Sequence, residues 1–336
     1  MGWSQTMVAS LYTAGSLTAS VGLVVVGRLL DKFGHRVVLA AVGLAFGLGA
    51  LWMSRVGSAT DLYLGIIVMR LLGQGSLTLI STTLVAVWFI RHRGRVMAIN
   101  SLGGVISNAV FPPLIFLLIS HFGWRSTWVL LSLFIWALTI LPAILVIRRS
   151  PESIGLLPDG DKSDALDEGA TSDEMQPRGE INFSLSEAMR TRTFWLLIFT
   201  ITPHSLISTA LVFNNESLIT SKGLDPAVAA TIFTAMAPSA LVGTFLSGFM
   251  LDRYQNRYVL ALVQLLLIVP MLWFFLISSA WQAIVYGSML GLAGGSWVTT
   301  ISVIWPNYYG RRAIGSIRSM ATMAMVASAA LGPLPF

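Results

Sequence analysis

Ten long apolar runs, separated by polar connections, dominate this sequence of 336 residues. A helix needs roughly 20 consecutive, mostly apolar residues to cross a bilayer. Runs of about this length stand at residues 5–30, 37–54, 62–90, 96–120, 125–147, 194–219, 226–250, 258–278, 281–305 and 312–336. Only 11% of the residues are charged, whereas soluble domains contain about 25%. The predicted fold class is therefore all-α: a polytopic membrane protein with about ten transmembrane helices.

The basic residues are concentrated in alternate connections. Cytoplasmic loops of membrane proteins carry an excess of lysine and arginine. The basic set contains Lys32, Arg36, Arg91, Arg93, Arg95, the segment 148–193, Arg253, Arg257, Arg311 and Arg312. The other set contains only Arg55, Arg125 and Lys222. We therefore expect the basic set to be cytoplasmic and Met1 to lie outside. The net charge of +6 is then expected to orient the chain in the lipid bilayer rather than to bind nucleic acid.

One long polar segment, residues 148–193, separates five predicted helices from the other five. It contains ten of the fifteen carboxylates, which is typical of a disordered linker, and it has a short amphipathic stretch near 184–192. The predicted domains are an N-terminal bundle (1–147), a cytoplasmic linker (148–193) and a C-terminal bundle (194–336). The chain has no cysteine, and its spans contain no paired carboxylates, Ser–His pair or metal-ligand spacing. We therefore expect no enzyme, no metal and no cofactor.

Two stretches at the ends of predicted helices nearly repeat each other. They read GRLLDKFGHRVV (27–38) and GFMLDRYQNRYV (248–259). Further matches pair Gly75-Ser76 with Gly295-Ser296, and residues 88–99 with 305–316. Membrane chains built from repeated halves are usually transporters with a site near the midplane. Chance similarity between glycine-rich helices is the alternative, but three matches in the same order favour an internal repeat.

Each repeated stretch places an aspartate at the inner end of a helix, where a charge needs a partner. The N-terminus of a helix offers free N–H groups and roughly half a positive charge. Two predicted helices begin after Gly94 and Gly310, so we expect Asp31 to face the start near Arg311, and Asp252 the start near Arg95. Simple capping of turns is the alternative. The predicted cytoplasmic gate consists of Gly27, Asp31, Arg36, Arg93, Arg95, Gly248, Asp252, Arg253, Arg257, Arg311 and Arg318; the glycines permit close helix approach.

Arg70 is the first candidate for the substrate path. It lies about 12 Å into its helix at 1.5 Å per residue, and a charge within a span is a functional candidate. It would bind an anion, with Gln74 one turn further on. The alternative is that its side chain extends to the outer interface.

His204 is the second candidate and lies near the middle of its helix, directly after Pro203. Histidine titrates near neutral pH, so His204 would carry a proton or, alternatively, pack as a neutral side chain. The proline is expected to weaken the helix locally. Asn214, near the outer end of the same helix, and, as weaker candidates, Asn108 and Gln264 complete the predicted path. Arg318 would contact either the substrate or the gate.

Several stretches resemble known sequence signatures. The two repeats resemble the cytoplasmic loop signature of the major facilitator superfamily, which follows the second and eighth of twelve helices. Further stretches resemble its bacterial monocarboxylate-porter-like and oxalate/formate-antiporter-like branch. They read WFIRHRGRVMAI, FGWRSTW, SPESIGLLPDG, SLSEAMRTRTFW, and GSIRSMATM followed by ALGPLPF. By this alignment helices 1 and 12 have no counterpart, and we expect a partial sequence rather than the alternative, a degenerate member of the family. Gln255 stands where the second signature usually has glycine.

The resemblance implies a secondary transporter working by alternating access in the bacterial inner membrane. The expected cargo is a small organic anion, similar to a monocarboxylate, moved with a proton or in exchange for a counter-substrate. We expect a monomer. The span 226–250 lacks the family's charged cavity residues, which disfavours a dicarboxylate. The alternatives are an exporter of small amphipathic compounds and a non-transporting fragment or sensor.

Overall fold

The computed structural model describes residues 5–160 and 182–331. The helices are α1 (Gln5–Met53), α2 (Ala59–Val68), a π-helix (Met69–Leu77), α3 (Thr78–Trp88), α4 (Arg93–Leu145), α5 (Leu185–Arg190), α6 (Arg192–Phe213), α7 (Asn215–Thr220), α8 (Pro226–Arg253), α9 (Asn256–Phe274), α10 (Ala280–Tyr309) and α11 (Ile314–Leu331). The described residues form no strands, which confirms the all-α prediction.

The two longest helices each combine two predicted spans. α1 bends at Gly34 (φ +79°) and α4 at Gly123 (φ +74°), a backbone region open to glycine and strained for other residues. Within the described residues, eight helices are long and apolar enough to cross a membrane. The backbone is non-helical at each of these glycines, so α1 and α4 each contain two of the predicted spans. The ten predicted spans therefore lie in these eight helical segments.

Two further predicted spans have interrupted helical geometry. The third span consists of α2, the π-helix and α3, and short π-segments are frequent at functional sites. The sixth consists of α6 and α7, which meet at Asn214. Pro203 does not break α6, which runs continuously through that residue, although proline has no N–H to complete one backbone hydrogen bond of the helix.

The linker is ordered at both of its described ends. Residues 152–154 and 158–160 form 3₁₀ turns, and α5 begins with a reciprocal cap between Ser184 and Glu187. The backbone N–H and hydroxyl of Ser184 lower the pKa of the exposed Glu187 carboxyl. The described ends of the linker are therefore ordered, and α5 falls on the amphipathic stretch predicted near 184–192. Residues 161–181 lie outside the described part of the chain.

The chain forms two compact units, each with its own apolar core. The first unit comprises residues 1–88, 108–191 and 309–327, and the second comprises 89–107, 192–308 and 328–336. The first core is built mainly from α1 and α3, and the second mainly from α6, α8, α9 and α10. Each unit thus includes a helix start from the other half of the sequence: α11 in the first unit and α4 in the second. The assignment of three domains stays a prediction.

Candidate functional site

Asp31 binds the beginning of α11 within the first unit. Its Oδ1 accepts a hydrogen bond from the backbone N–H of Gly315 (2.8 Å), and its Oδ2 accepts one from Ser316 (2.7 Å). Both donors belong to the first turn of α11, where N–H groups have no partner within the helix. We name this arrangement the α1–α11 contact.

Asp252 binds the beginning of α4 within the second unit in the same way. Its Oδ1 accepts from the N–H of Gly94 (2.6 Å) and its Oδ2 from that of Arg95 (3.2 Å). The Arg95 side chain adds an ion pair at 3.5 Å, although it is 54% exposed. We name this arrangement the α4–α8 contact.

Glycines allow the helices to approach closely at both contacts. A Cβ atom added to Gly315 would lie 2.6 Å from the carbonyl oxygen of Gly27, and one added to Gly248 would lie 2.7 Å from that of Gly94. Real Cβ atoms essentially never approach a backbone atom so closely. Small residues at helix interfaces have this role in membrane proteins, so each glycine pair supports the neighbouring carboxylate contact.

The two contacts correspond residue by residue at one constant separation in the sequence. Gly27 and Gly248, Asp31 and Asp252, and Gly94 and Gly315 are each 221 positions apart. The expected match of residues 88–99 with 305–316 is therefore out of register. Gly310 (φ +78°) lies in the turn before α11, and the structural equivalent of Gly94 is Gly315.

The remaining predicted gate residues have varied surroundings. Arg36 donates to the carbonyl oxygen of Ile144 (3.0 Å). Arg93 is 3% exposed and donates to the carbonyl oxygen of Phe89 (2.9 Å) and to Asn307 Oδ1. Arg253 is exposed, and the exposed Arg257 lies beside the hydroxyl of Tyr258. Arg318 is buried on α11, two positions beyond Ser316.

Arg70 lies on the π-helix and points toward α1 within the first unit. Its Nε donates to Ser16 Oγ (3.0 Å), and its guanidinium carbon lies 4.8 Å from the ring centre of Tyr12. Among the described residues no carboxylate lies within 4.0 Å of this guanidinium. Gln74, one turn further along, is exposed. A half-buried cation held by neutral partners is suited to binding an anion.

His204 is buried in the second unit and contacts one side chain of α9 and one of α10. Its Nδ1 lies 2.8 Å from Gln264 Oε1, and its ring stacks on Trp297 at 3.8 Å. Because Gln264 Nε2 donates to the carbonyl oxygen of Thr200 (2.7 Å), its oxygen faces the imidazole. The Nδ1 atom therefore carries the hydrogen, and Nε2 is a buried acceptor without a partner among the described residues.

Asn214 and Asn108 were the other polar residues predicted on the substrate path. Asn214 donates from Nδ2 to the carbonyl oxygen of Ala210 (3.0 Å), one turn earlier on the same helix. The backbone of Asn108 lies in α4, and its side chain lies outside the described part of the structure. The Asn214 contact is local and does not connect this side chain to His204.

Sequence reasoning missed four polar residues that lie around the two helix starts: Glu152, Asn182, Asn256 and Asn307. Glu152 pairs with Arg311 at 3.1 Å, and Asn182 accepts from backbone N–H groups before α11. Asn307 connects Arg93 to Asn256 in the second unit. The first two belong to the polar linker, where composition predicts only solvated loops.

Comparison with known proteins identifies the class of fold. The Major Facilitator Superfamily model matches residues 1–333. The E. coli fucose:proton symporter FucP has 17% sequence identity and a TM-score of 0.69, over 98% of this chain and 83% of that chain. Human monocarboxylate transporter 7 is 25% identical over 85% of this chain and 64% of its own length. Riboflavin transporter RibJ of Trypanosoma cruzi is 27% identical over 45% of this chain and 32% of its own length.

These similarities define a multi-pass membrane protein with the fold of solute transporters. The chain belongs to the Major Facilitator Superfamily, which confirms the resemblance that the repeated signatures indicated. It spans less than two thirds of the length of the two curated relatives above.

Proposed function

We propose that this chain is a secondary transporter that moves a small organic anion, of the monocarboxylate class, by alternating access. The observation that carries the choice of an anion is Arg70, a guanidinium within a span that is held by Ser16 and the Tyr12 ring. A guanidinium does not lose its proton in proteins, so the charge persists throughout a transport cycle. Gln74 supplies a neutral hydrogen-bonding group nearby.

The paired carboxylate contacts support the alternating-access part of the proposal. Each joins two helices through a carboxylate that accepts hydrogen bonds from two backbone N–H groups, and such polar contacts can form in one state and break in another. A ligand that prefers the state in which these contacts are broken shifts the population toward that state. We propose that the predicted gate residues act in this way and that the basic connections, with the linker, are cytoplasmic.

The coupling step is also part of the proposal, as proton symport or as exchange. His204 is the proposed proton-binding residue in the second unit, because Nε2 is an acceptor without a partner there. Its packing against Trp297 fits a neutral structural histidine equally well. Uptake driven by an imposed proton gradient, compared with uptake by preloaded vesicles without a gradient, separates symport from exchange.

The substrate class is tested by uptake into proteoliposomes containing the purified chain. The panel contains a monocarboxylate, a dicarboxylate and an amphipathic cation, with protein-free liposomes as the baseline. We expect uptake of the monocarboxylate, reduced about tenfold or more by Arg70→Ala, because a charge-assisted hydrogen bond contributes about 1.5–3 kcal/mol. Arg70→Lys should retain part of the activity, because lysine keeps the charge without the planar fork.

The matched control is Arg125→Ala, which removes an exposed arginine beside Trp124. We expect uptake by this variant to equal that of the parent chain. Full anion uptake by a folded Arg70→Ala variant would contradict the role of Arg70. Uptake of the amphipathic cation alone would identify an exporter of amphipathic compounds instead.

A further inference from the structure

The second end of the linker holds the turn that precedes α11. This turn, residues 309–312, is called the α11 turn here. Asn182 Oδ1 accepts hydrogen bonds from the N–H groups of Arg311 (2.9 Å) and Arg312 (3.1 Å). The next residue, Phe183, donates its N–H to the carbonyl oxygen of Tyr309 (3.0 Å). The linker thus caps a turn that is remote in sequence, as an N-cap side chain caps its own helix.

Side chains of the linker add further contacts with the α11 turn. The Phe183 and Tyr309 rings meet edge to face, with centres 5.4 Å apart. Thr191 Oγ1 donates to the carbonyl oxygen of Ala188 (2.7 Å) and lies 2.9 Å from the Tyr309 hydroxyl. Because the threonine hydroxyl already donates, the tyrosine hydroxyl donates to it. Residues 182–191 therefore contact the turn through backbone, ring and hydroxyl groups.

The first end of the linker holds the same turn through an ion pair. Glu152 Oε1 lies 3.1 Å from Arg311 Nη2, and both side chains are less than 10% exposed. Arg311 Nη1 also donates to the carbonyl oxygen of Val87 (2.7 Å). Removing one partner of a buried pair is strongly destabilising, because it leaves a desolvated charge. Glu152, at the first end of the linker, thus binds the side chain of Arg311. Asn182, at the second end, binds the backbone N–H of the same residue.

The α4–α8 contact has no corresponding linker residues among those described. Its helix start is held by Arg93, whose guanidinium donates to Asn307 on α10, and Asn307 in turn donates to Asn256 on α9. The exposed Arg95 adds the ion pair to Asp252. At the position equivalent to Arg95, 221 residues further on, α11 has Ser316, which has no charge. Among the described residues no cation lies within 4.0 Å of the Asp31 carboxylate, and linker residues lie beside the α1–α11 contact instead.

We propose that Glu152 and Asn182, in the two described ends of the linker, form a clamp that sets the strength of the α1–α11 contact alone. Asn182 and Glu152 fix the α11 turn, and the turn places the N–H groups of Gly315 and Ser316 against Asp31. Release of either linker end frees the turn and weakens the Asp31 hydrogen bonds, while the α4–α8 contact keeps its strength. This inference deepens the proposed function, because it assigns regulation of one of two otherwise equivalent contacts to the linker.

The test is amide hydrogen exchange of the intact chain in lipid nanodiscs, read by mass spectrometry at residues 311–316 and 93–96. Asn182→Ala should accelerate exchange at 311–316 about fivefold, a typical effect of losing a helix cap, and leave 93–96 unchanged. Asn182→Asp keeps an acceptor oxygen and should exchange as the parent chain does. Equal exchange in Asn182→Ala and parent at 311–316, or equal acceleration at both regions, would overturn the clamp.

A second variant keeps the test decisive if Asn182→Ala does not fold. Glu152→Gln preserves the side-chain volume and leaves Arg311 without its counter-charge, so exchange at 311–316 should rise at least tenfold. No rise in a folded Glu152→Gln variant would overturn the clamp. The measurement needs no substrate, so a clamp confirmed by exchange in a chain that transports no anion would contradict the proposed function and leave the clamp standing.

Discussion

Substitution of Asp31 by asparagine should open the α1–α11 contact while preserving side-chain shape. Each aspartate oxygen accepts one backbone N–H, at 2.8 Å from Gly315 and 2.7 Å from Ser316. The asparagine amide keeps one acceptor and presents its NH₂ group to the other N–H. One hydrogen bond to a charged group, about 1.5–3 kcal/mol, is lost, together with the favourable interaction of a negative charge with a helix start, about 0.3–1 kcal/mol.

A loss of about 2–4 kcal/mol corresponds to a change of about 30- to 700-fold in the ratio of closed to open contact. Hydrogen exchange at Gly315 and Ser316 reports this ratio directly, because their N–H groups are the donors. We expect exchange to rise by that factor in Asp31→Asn. The control is Lys32→Gln, on the adjacent exposed residue, which should exchange as the parent chain does. Unchanged exchange in Asp31→Asn, with the protein folded, would refute the assignment of Asp31 as the partner of α11.

Three further predictions follow from the contacts. Gly248→Ala should lower the melting temperature, because its Cβ would lie 2.7 Å from a backbone carbonyl oxygen of α4. The control Gly103→Ala, with open space around the Cβ, should leave the melting temperature unchanged. Equal melting temperatures of the two variants would contradict the close approach of the helices. Arg95→Gln should accelerate exchange at the start of α4 less than about fivefold, because an exposed ion pair contributes about 0.2–1 kcal/mol; a larger effect would show that the arginine, rather than the carboxylate, holds the contact. Gln264→Leu should destabilise the chain by about 1–3 kcal/mol, because it leaves the N–H of His204 buried without an acceptor, and an unchanged unfolding midpoint would contradict the tautomer assignment.

Hydropathy and charge predicted the helices of this chain well, because length and apolarity alone decide which segments can span a bilayer. They did not predict that single glycines, Gly34 and Gly123, suffice to join adjacent spans. The positive φ at those positions depends on packing that one sequence does not reveal. The lengths of these two turns were therefore overestimated, while nearly all of the span boundaries were close to those of the structure.

The aspartates of the candidate site were predicted from the repeat. The helix start expected opposite Asp252, near Arg95, is the one that it binds. The start expected opposite Asp31 was placed near Arg311, several residues before the N–H groups of Gly315 and Ser316 that bind it. Matching Trp88 with Trp305 aligned the wrong turn, because the chain makes a short turn at Gly310 before α11 begins at Ile314. No local feature of the sequence predicted that Asn182 and Glu152 contact the α11 turn. Polar residues in an acidic segment resemble a solvated loop, and only the three-dimensional path of the linker brings them to Arg311.

Counterflow is the measurement that tests the central claim most directly. Proteoliposomes are loaded with an unlabelled monocarboxylate and diluted into a trace of the labelled compound, without an imposed gradient of protons or charge. A carrier that alternates between two states accumulates the label transiently above equilibrium, and we predict this for the parent chain. Uptake no greater than that of protein-free liposomes, or simple equilibration without an overshoot, would contradict alternating-access transport of this class of anion.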